Sequence, residues 1–209
     1  MKAIIPVLMM ALAAPALAQT VPPLSDEDIA FRLTPGAGVE TRIDGDLNGD
    51  GQTDTVYIEG TEDKRTLNIL MAYREETDMG HDPKGTVEFE VSQFAPATLK
   101  ITDKGVLVVE DMTGGTTATT ATYRYRYDAK AGRMRLIGLD ATVYSRTNQH
   151  GYTEISWNLL TGDFVRETAE LAQGEGDAAY ADPVVKKSKR STAPGYMEET
   201  PNPDDVLSE

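Results

Sequence analysis

The sequence predicts an all-β fold: a mainly antiparallel meander forming a sandwich or a partly open barrel, with one short N-terminal helix. Apolar residues recur at every second position over most of the chain from Asp54 to Phe164, the period of a half-buried strand. Short Gly, Asp and Lys clusters separate the runs, as hairpin turns do. No segment between Asp54 and Phe164 carries an extended helical period.

The chain opens MKAIIPVLMMALAAPALAQT. Lys2 precedes an apolar run, and Ala16-Leu17-Ala18 gives the small-x-small cleavage pattern, so residues 1–18 read as a secretory signal peptide. The run is shorter than the ~20 residues that span a bilayer. The expectation is a periplasmic or secreted protein of bacterial type, with no membrane anchor after signal cleavage. With 0 Cys in the chain, neither a disulfide framework nor thiol chemistry is available.

A globular domain is expected over 19–171. Its first element is a helix near Ser25–Leu33: Ser25 caps it, Asp26, Glu27 and Asp28 suit its positive end, and Ile29, Phe31 and Leu33 supply apolar contacts. Thr34-Pro35-Gly36 ends it. Strand patterns follow around Val56, Ile69, Val87, Leu99 and Val108, with Val87, Phe89 and Val91 taken as one alternating set. Glu75–Gly85 reads as a surface loop.

Next come YRYRYD, ending at Asp128, then RMRLIGLD, EISWNLL and DFVRETAEL. Alternation places Tyr123, Tyr125 and Tyr127 on one face and Arg124 and Arg126 on the other. The Arg face either meets an anionic partner or covers the outer surface with its aliphatic stems. Trp157 reads as a core anchor. The segment 172–209 is rich in Gly, Pro, Ser and charge, and it is expected to be a disordered tail. Its Lys186-Lys187-Ser188-Lys189-Arg190 run is either a solvated stretch or a weak docking segment for an anionic surface.

Lys and Arg number 20 against 34 Asp and Glu, a formal net charge of -14. That field repels phosphate backbones, which argues against nucleic acid, and favours divalent cations or basic proteins.

The densest chemistry lies in GDLNGDGQTD, residues 45–54. Asp46, Asn48 and Asp50 alternate, Gly51 follows, Gln52 offers a backbone carbonyl, and Asp54 comes two positions later. Calcium takes 6–8 hard oxygen ligands from loops that wrap around the ion, with glycine at the sixth position. Crowded carboxylates also repel one another without a cation. A second register starts at Asp44. A metal-free turn held by Asx side chains is the other reading. Position twelve, a bidentate Glu in a helix-loop-helix site, is Tyr57 here, so an affinity of ~10⁻⁴–10⁻³ M is expected for one structural calcium ion.

The pattern Asp46-x-Asn48-x-Asp50-Gly51-x-x-Asp54 running into a strand resembles the calcium loop of FG-GAP and VCBS-type repeats. The resemblance implies Asp46, Asn48, Asp50, Asp54 and the Gln52 carbonyl as metal ligands. It appears once, which argues for a single β-domain instead of a propeller. The Tyr/Arg strand, RMRLIGLD and EISWNLLTGDFV are together similar to small exported bacterial proteins of unassigned function.

No nucleophile elbow, zinc-protease helix or phosphate-binding loop is present. His81 and His150 fall in loop-like sequence and outside any ligand-spaced cluster. The expected function is therefore a non-enzymatic binding domain with an unknown extracytoplasmic partner. The alternatives are an acidic periplasmic inhibitor of a cationic cell-wall hydrolase, and a hydrolase using loop carboxylates.

Overall fold

The computed structural model describes residues 20–173 and 179–209. The expected signal peptide lies outside the described residues. Antiparallel strands dominate, as the alternation requires, and they form two sheets. The smaller sheet is β1 (Gly38–Gly45), β2 (Asp54–Gly60), β3 (Arg65–Arg74) and β4 (Met79–Phe89), in that order.

The larger sheet starts with β5 (Thr98–Ile101), β6 (Val106–Gly114), β7 (Thr117–Asp128) and β8 (Arg133–Ser145). It continues through β9 (Tyr152–Asn158), β10 (Asp163–Ala169) and β11 (Val184–Lys189). A short β12 (Gly195–Tyr196) pairs with β8. Every step of the path is a sequential antiparallel neighbour, so the expected meander is the observed topology.

The core lies between the sheets. Val56, Ile58, Leu67, Ile69 and Val87 face Leu107, Val109, Tyr123, Tyr125, Leu136, Leu139 and Ile155 in one cluster. Tyr123 and Tyr125 point inward and stack, and Trp157 packs beside the cluster against Phe164. Arg124 turns the other way and meets Asp140 on the outer face.

The helix α1 (Asp26–Ala30) is capped as expected: the Ser25 hydroxyl accepts from the Asp28 N–H at 3.1 Å, and Asp28 reaches back to Ser25. Ile29 is buried with Leu24, Tyr57 and Leu70 on the outer face of the smaller sheet. Phe31, expected among the contacts, is 83% exposed, because the helix ends at Ala30 and the chain turns away.

Two other expectations are corrected. Residues 79–85 are strand, not loop: β4 pairs with β3, Pro83 lies opposite Leu70, and the next residue, Lys84, is the extra one of a bulge at the Ile69–Leu70 step. Val91 lies beyond the strand's end at Phe89. The tail is also ordered among the described residues. Residues 184–209 form β11, β12, a 3₁₀ turn over Met197–Glu199 and α2 (Pro203–Ser208).

The physical reason is the unequal width of the sheets. The larger sheet extends past the smaller one, and its surplus apolar face needs a cover. Met197, Val206 and Leu207 supply it and join the main core. Arg166 of β10 donates to the carbonyls of Val206 and Leu207. A cation thereby sits at the negative end of α2, which has no basic residue of its own there.

Candidate metal centre

The 46–54 loop joins β1 to β2 at one end of the smaller sheet. Leu47 is its anchor, buried in the main core. The flanking turn at Gly105 fits closely against it: a Cβ there would lie 2.6 Å from the Leu47 carbonyl oxygen. Gly49 and Gly51 adopt φ of 81° and 78°, the left-handed region that reverses the chain twice in three residues.

The side chains then fold back on the loop's own amides. Asp46 accepts from the N–H of Gly49 at 2.6 Å and of Gly51 at 2.9 Å. Asn48 Oδ1 accepts from the Asp50 N–H at 3.0 Å, and Asp50 Oδ1 from the Gln52 N–H at 2.7 Å. Asn48 Nδ2 also donates to Asp50 Oδ2 at 2.9 Å. The Gln52 side chain reaches outward and accepts from the Val21 N–H at 2.7 Å, tying the N-terminal segment to the loop.

Asp54 behaves differently from Asp46 and Asp50. It is 0% exposed. Its carboxylate accepts from the Leu47 N–H at 2.8 Å and the Ala72 N–H at 2.9 Å, joining the loop to β3. Burial pushes its pKa up to about 6 against the pull of those two N–H groups, and the charges of Asp50 and Asp46 push the same way. Asp44, the start of the second register, is engaged by Arg42 and by the Thr55 hydroxyl.

The donor chemistry fits calcium: hard oxygens from three carboxylates and an amide. Each oxygen of those carboxylates takes one hydrogen bond and keeps a lone pair for a further partner. The arrangement fits less well. Among the described residues, no three His, Asp or Glu side chains are gathered closely enough to hold a metal ion.

His81, expected in a loop, lies on β4 opposite Ala72. Its Nε2 is buried without a partner, and burial lowers the ring's pKa against a backbone hydrogen bond with Thr53. His150 is at the surface, bonded to the Thr117 hydroxyl and the Gly151 carbonyl.

The structure adds a second acidic site at the opposite end of the same sheet. Arg65 opens β3 and is 3% exposed. Its Nη1 and Nη2 grip Asp111 of β6 at 3.0–3.1 Å. Its Nε and Nη2 meet Glu40 of β1 at 2.6 and 2.5 Å, and Nη1 also reaches the Glu90 carbonyl at 2.9 Å. All five N–H donors of the guanidinium are thus used. Burial works to raise the Glu40 pKa, but the Arg65 hydrogen bond and charge and the Ala97 N–H hold it below the usual carboxylate range.

This site borders a cavity of about 120 Å³ lined by Glu88, Glu90, Asp111 and Tyr123. Its carboxylates are engaged: Glu88 by Lys64, Glu90 by Asn202 and Asp111 by Arg65. The sequence carried a signal for part of the site. Arg65 shares strand parity with Leu67 and Ile69, and Asp111 with Leu107 and Val109, so both charges fall on core-facing positions.

No protein-family model, no curated protein and no solved structure matches this chain. Among the described residues, no helix is long and apolar enough to cross a membrane.

Proposed function

We propose that this chain is an exported, non-enzymatic binding domain whose 46–54 loop is stiffened by one calcium ion. The observation that carries the reading is the loop itself. Three carboxylates stand within nine residues: Asp50 is exposed, Asp46 is half-buried, and Asp54 is buried at the base with no cationic side chain bonded to it among the described residues. A divalent cation relieves that repulsion and supplies the counter-charge that Asp54 lacks.

Binding exchanges the Asn48–Asp50 side-chain hydrogen bond for the ion, since an amide nitrogen is no ligand for calcium. The exposed Asp50 and half-buried Asp46 carboxylates and the Asn48 oxygen are the groups that can turn toward it. The ion's role is mechanical: it fixes the loop, and through Asp54 the start of β2 against β3. The binding half of the reading is supported by an antiparallel scaffold whose cavity carboxylates are already paired and whose basic edge is open to a partner.

Calorimetric titration of calcium into chelator-treated protein tests the metal. The expected result is saturable heat with half-saturation at ~10⁻⁴–10⁻³ M. At a hundredfold excess over Kd, stability should rise by about 2.7 kcal/mol. The double variant Asp46→Asn, Asp50→Asn should lose both responses while staying folded. No heat and an unchanged Tm in the parent protein would remove calcium from the proposal.

A further inference from the structure

We propose that the free edge of β11 docks an extended acidic segment of a partner protein, which adds to the larger sheet as a further antiparallel strand. This rests on the binding-domain reading above and is independent of its calcium loop.

The other sheet edges are each approached by a neighbouring element. β1 and β5 lie against one another, with Ile101 filling the space beside Gly45. β4 is flanked by the 3₁₀ turn, whose Met197 Sδ presses on Gly85. Among the described residues β11 pairs with β10 alone, and all six of its residues are exposed. Val184 and Val185 are 57% and 47% exposed there, apolar side chains open to solvent among the described residues.

The ladder shows which amides are free. The Arg190 N–H donates to the Gly162 carbonyl at 2.8 Å, in register with Phe164 opposite Ser188 and Arg166 opposite Lys186. Antiparallel pairs alternate, so Ser188, Lys186 and Val184 turn their backbone groups to β10. Val185, Lys187 and Lys189 turn theirs outward, a template for one more strand.

Charge selects the occupant. In a chain of net charge -14, residues 186–190 hold four of the 20 basic side chains. Lys189 pairs with Asp163 and Arg190 with Glu209, while among the described residues no ion pair engages Lys186 or Lys187. A second copy of β11 pairing antiparallel would set lysines against lysines, which is unfavourable. An acidic strand meets complementary charge on both faces, with valines at one end to pack on.

The probe is a short acetylated and amidated peptide of alternating Val and Glu, with a Val/Lys peptide as control. The readout is amide hydrogen exchange followed by NMR. The Val/Glu peptide should protect the N–H groups of Val185, Lys187 and Lys189, and leave the already protected Lys186 and Ser188 unchanged. Lys187→Pro removes an outward N–H that β10 does not use, and it should weaken binding by about fivefold or more. Lys186→Glu with Lys187→Glu should lose the Val/Glu peptide and gain the Val/Lys one, which keeps the test open if the proline variant unfolds.

Unchanged exchange on adding peptide would overturn the proposal. So would protection that rises with protein concentration alone, which means self-pairing. Protection by phosphatidylglycerol vesicles and not by peptide would assign the edge to a lipid surface. Repeating the peptide arm with calcium chelated separates this edge from the loop, since the binding should persist.

Discussion

The two ends of the smaller sheet both bury carboxylates, and they neutralise them in opposite ways. At the Arg65 end, a guanidinium sits between Glu40 and Asp111 and spends every donor on them and on a carbonyl. At the loop end, Asp54 has two backbone N–H groups and two acidic neighbours in sequence, with burial pushing its pKa up. The contrast teaches that burial alone does not set the behaviour of a carboxylate. The fold builds a permanent counter-charge into one end, where the two sheets are clamped together. At the other end the described residues bring no cationic side chain to Asp54, and on the calcium reading proposed above an ion from solution would supply that charge.

The largest test is Arg65→Met, which turns the first end into the second. Asp111 would be left buried and Glu40 half-buried without their cation, and breaking a buried pair from one side costs roughly 3–5 kcal/mol. Urea unfolding followed by circular dichroism reads the loss as a lower midpoint at unchanged slope. A loss below about 1 kcal/mol would mean that the clamp is no stronger than a surface pair, and the contrast between the two ends would collapse.

The pH dependence should separate the ends next. Asp54 has its folded pKa raised to about 6 from an ordinary 3.8. Between those values the native state still holds a proton that the unfolded chain has lost, so ionising Asp54 works against folding. Its contribution is therefore present below pH 3.8 and lost as pH rises toward about 6 in calcium-free buffer. Glu40 has the opposite sign. Its folded pKa lies below 4.5, so its contribution is present above that value and lost on acidification through the folded pKa. Tm measured across this range in a chelator should show a downward trend toward pH 6 that Asp54→Asn flattens. Added calcium should also flatten it in the parent protein. A trend unaltered by both would detach Asp54 from the loop's electrostatics.

Much of this architecture was legible beforehand, because the strand period and the turn residues are local. The Ser25 cap and the inward Tyr123 and Tyr125 follow directly from spacing. The tail was not legible, for a non-local reason. Val206 and Leu207 are two apolar residues in a polar stretch, and they become core only because the larger sheet outgrows the smaller. Pro83 likewise suggested a loop, and β4 keeps it in register opposite Leu70 beside a bulge at Lys84 that no single-strand pattern shows. Of the candidate site, the acidic spacing was visible, but the burial of Asp54 against Ala72 depends on β3, which is distant in sequence. The Arg65 clamp was half visible, as two charges on apolar parity, yet their pairing needs both sheets in place.

The smallest expected effect closes the comparison from outside the core. Arg124 and Asp140 form the same kind of ion pair as Arg65 and Asp111, at 2.6 Å, but their side chains are 39% and 38% exposed. Water competes for both groups there, and holding two long side chains in one geometry costs entropy. Arg124→Ala should therefore cost only about 0–1 kcal/mol, with a part that fades as salt rises. Asp140 keeps the Ser156 hydroxyl at 2.7 Å and regains hydration, so no buried charge is orphaned. If this variant matched Arg65→Met in the same urea experiment, ion-pair geometry and not burial would govern both sites. The clamp would then lose its claim to be a built-in counter-charge for the core.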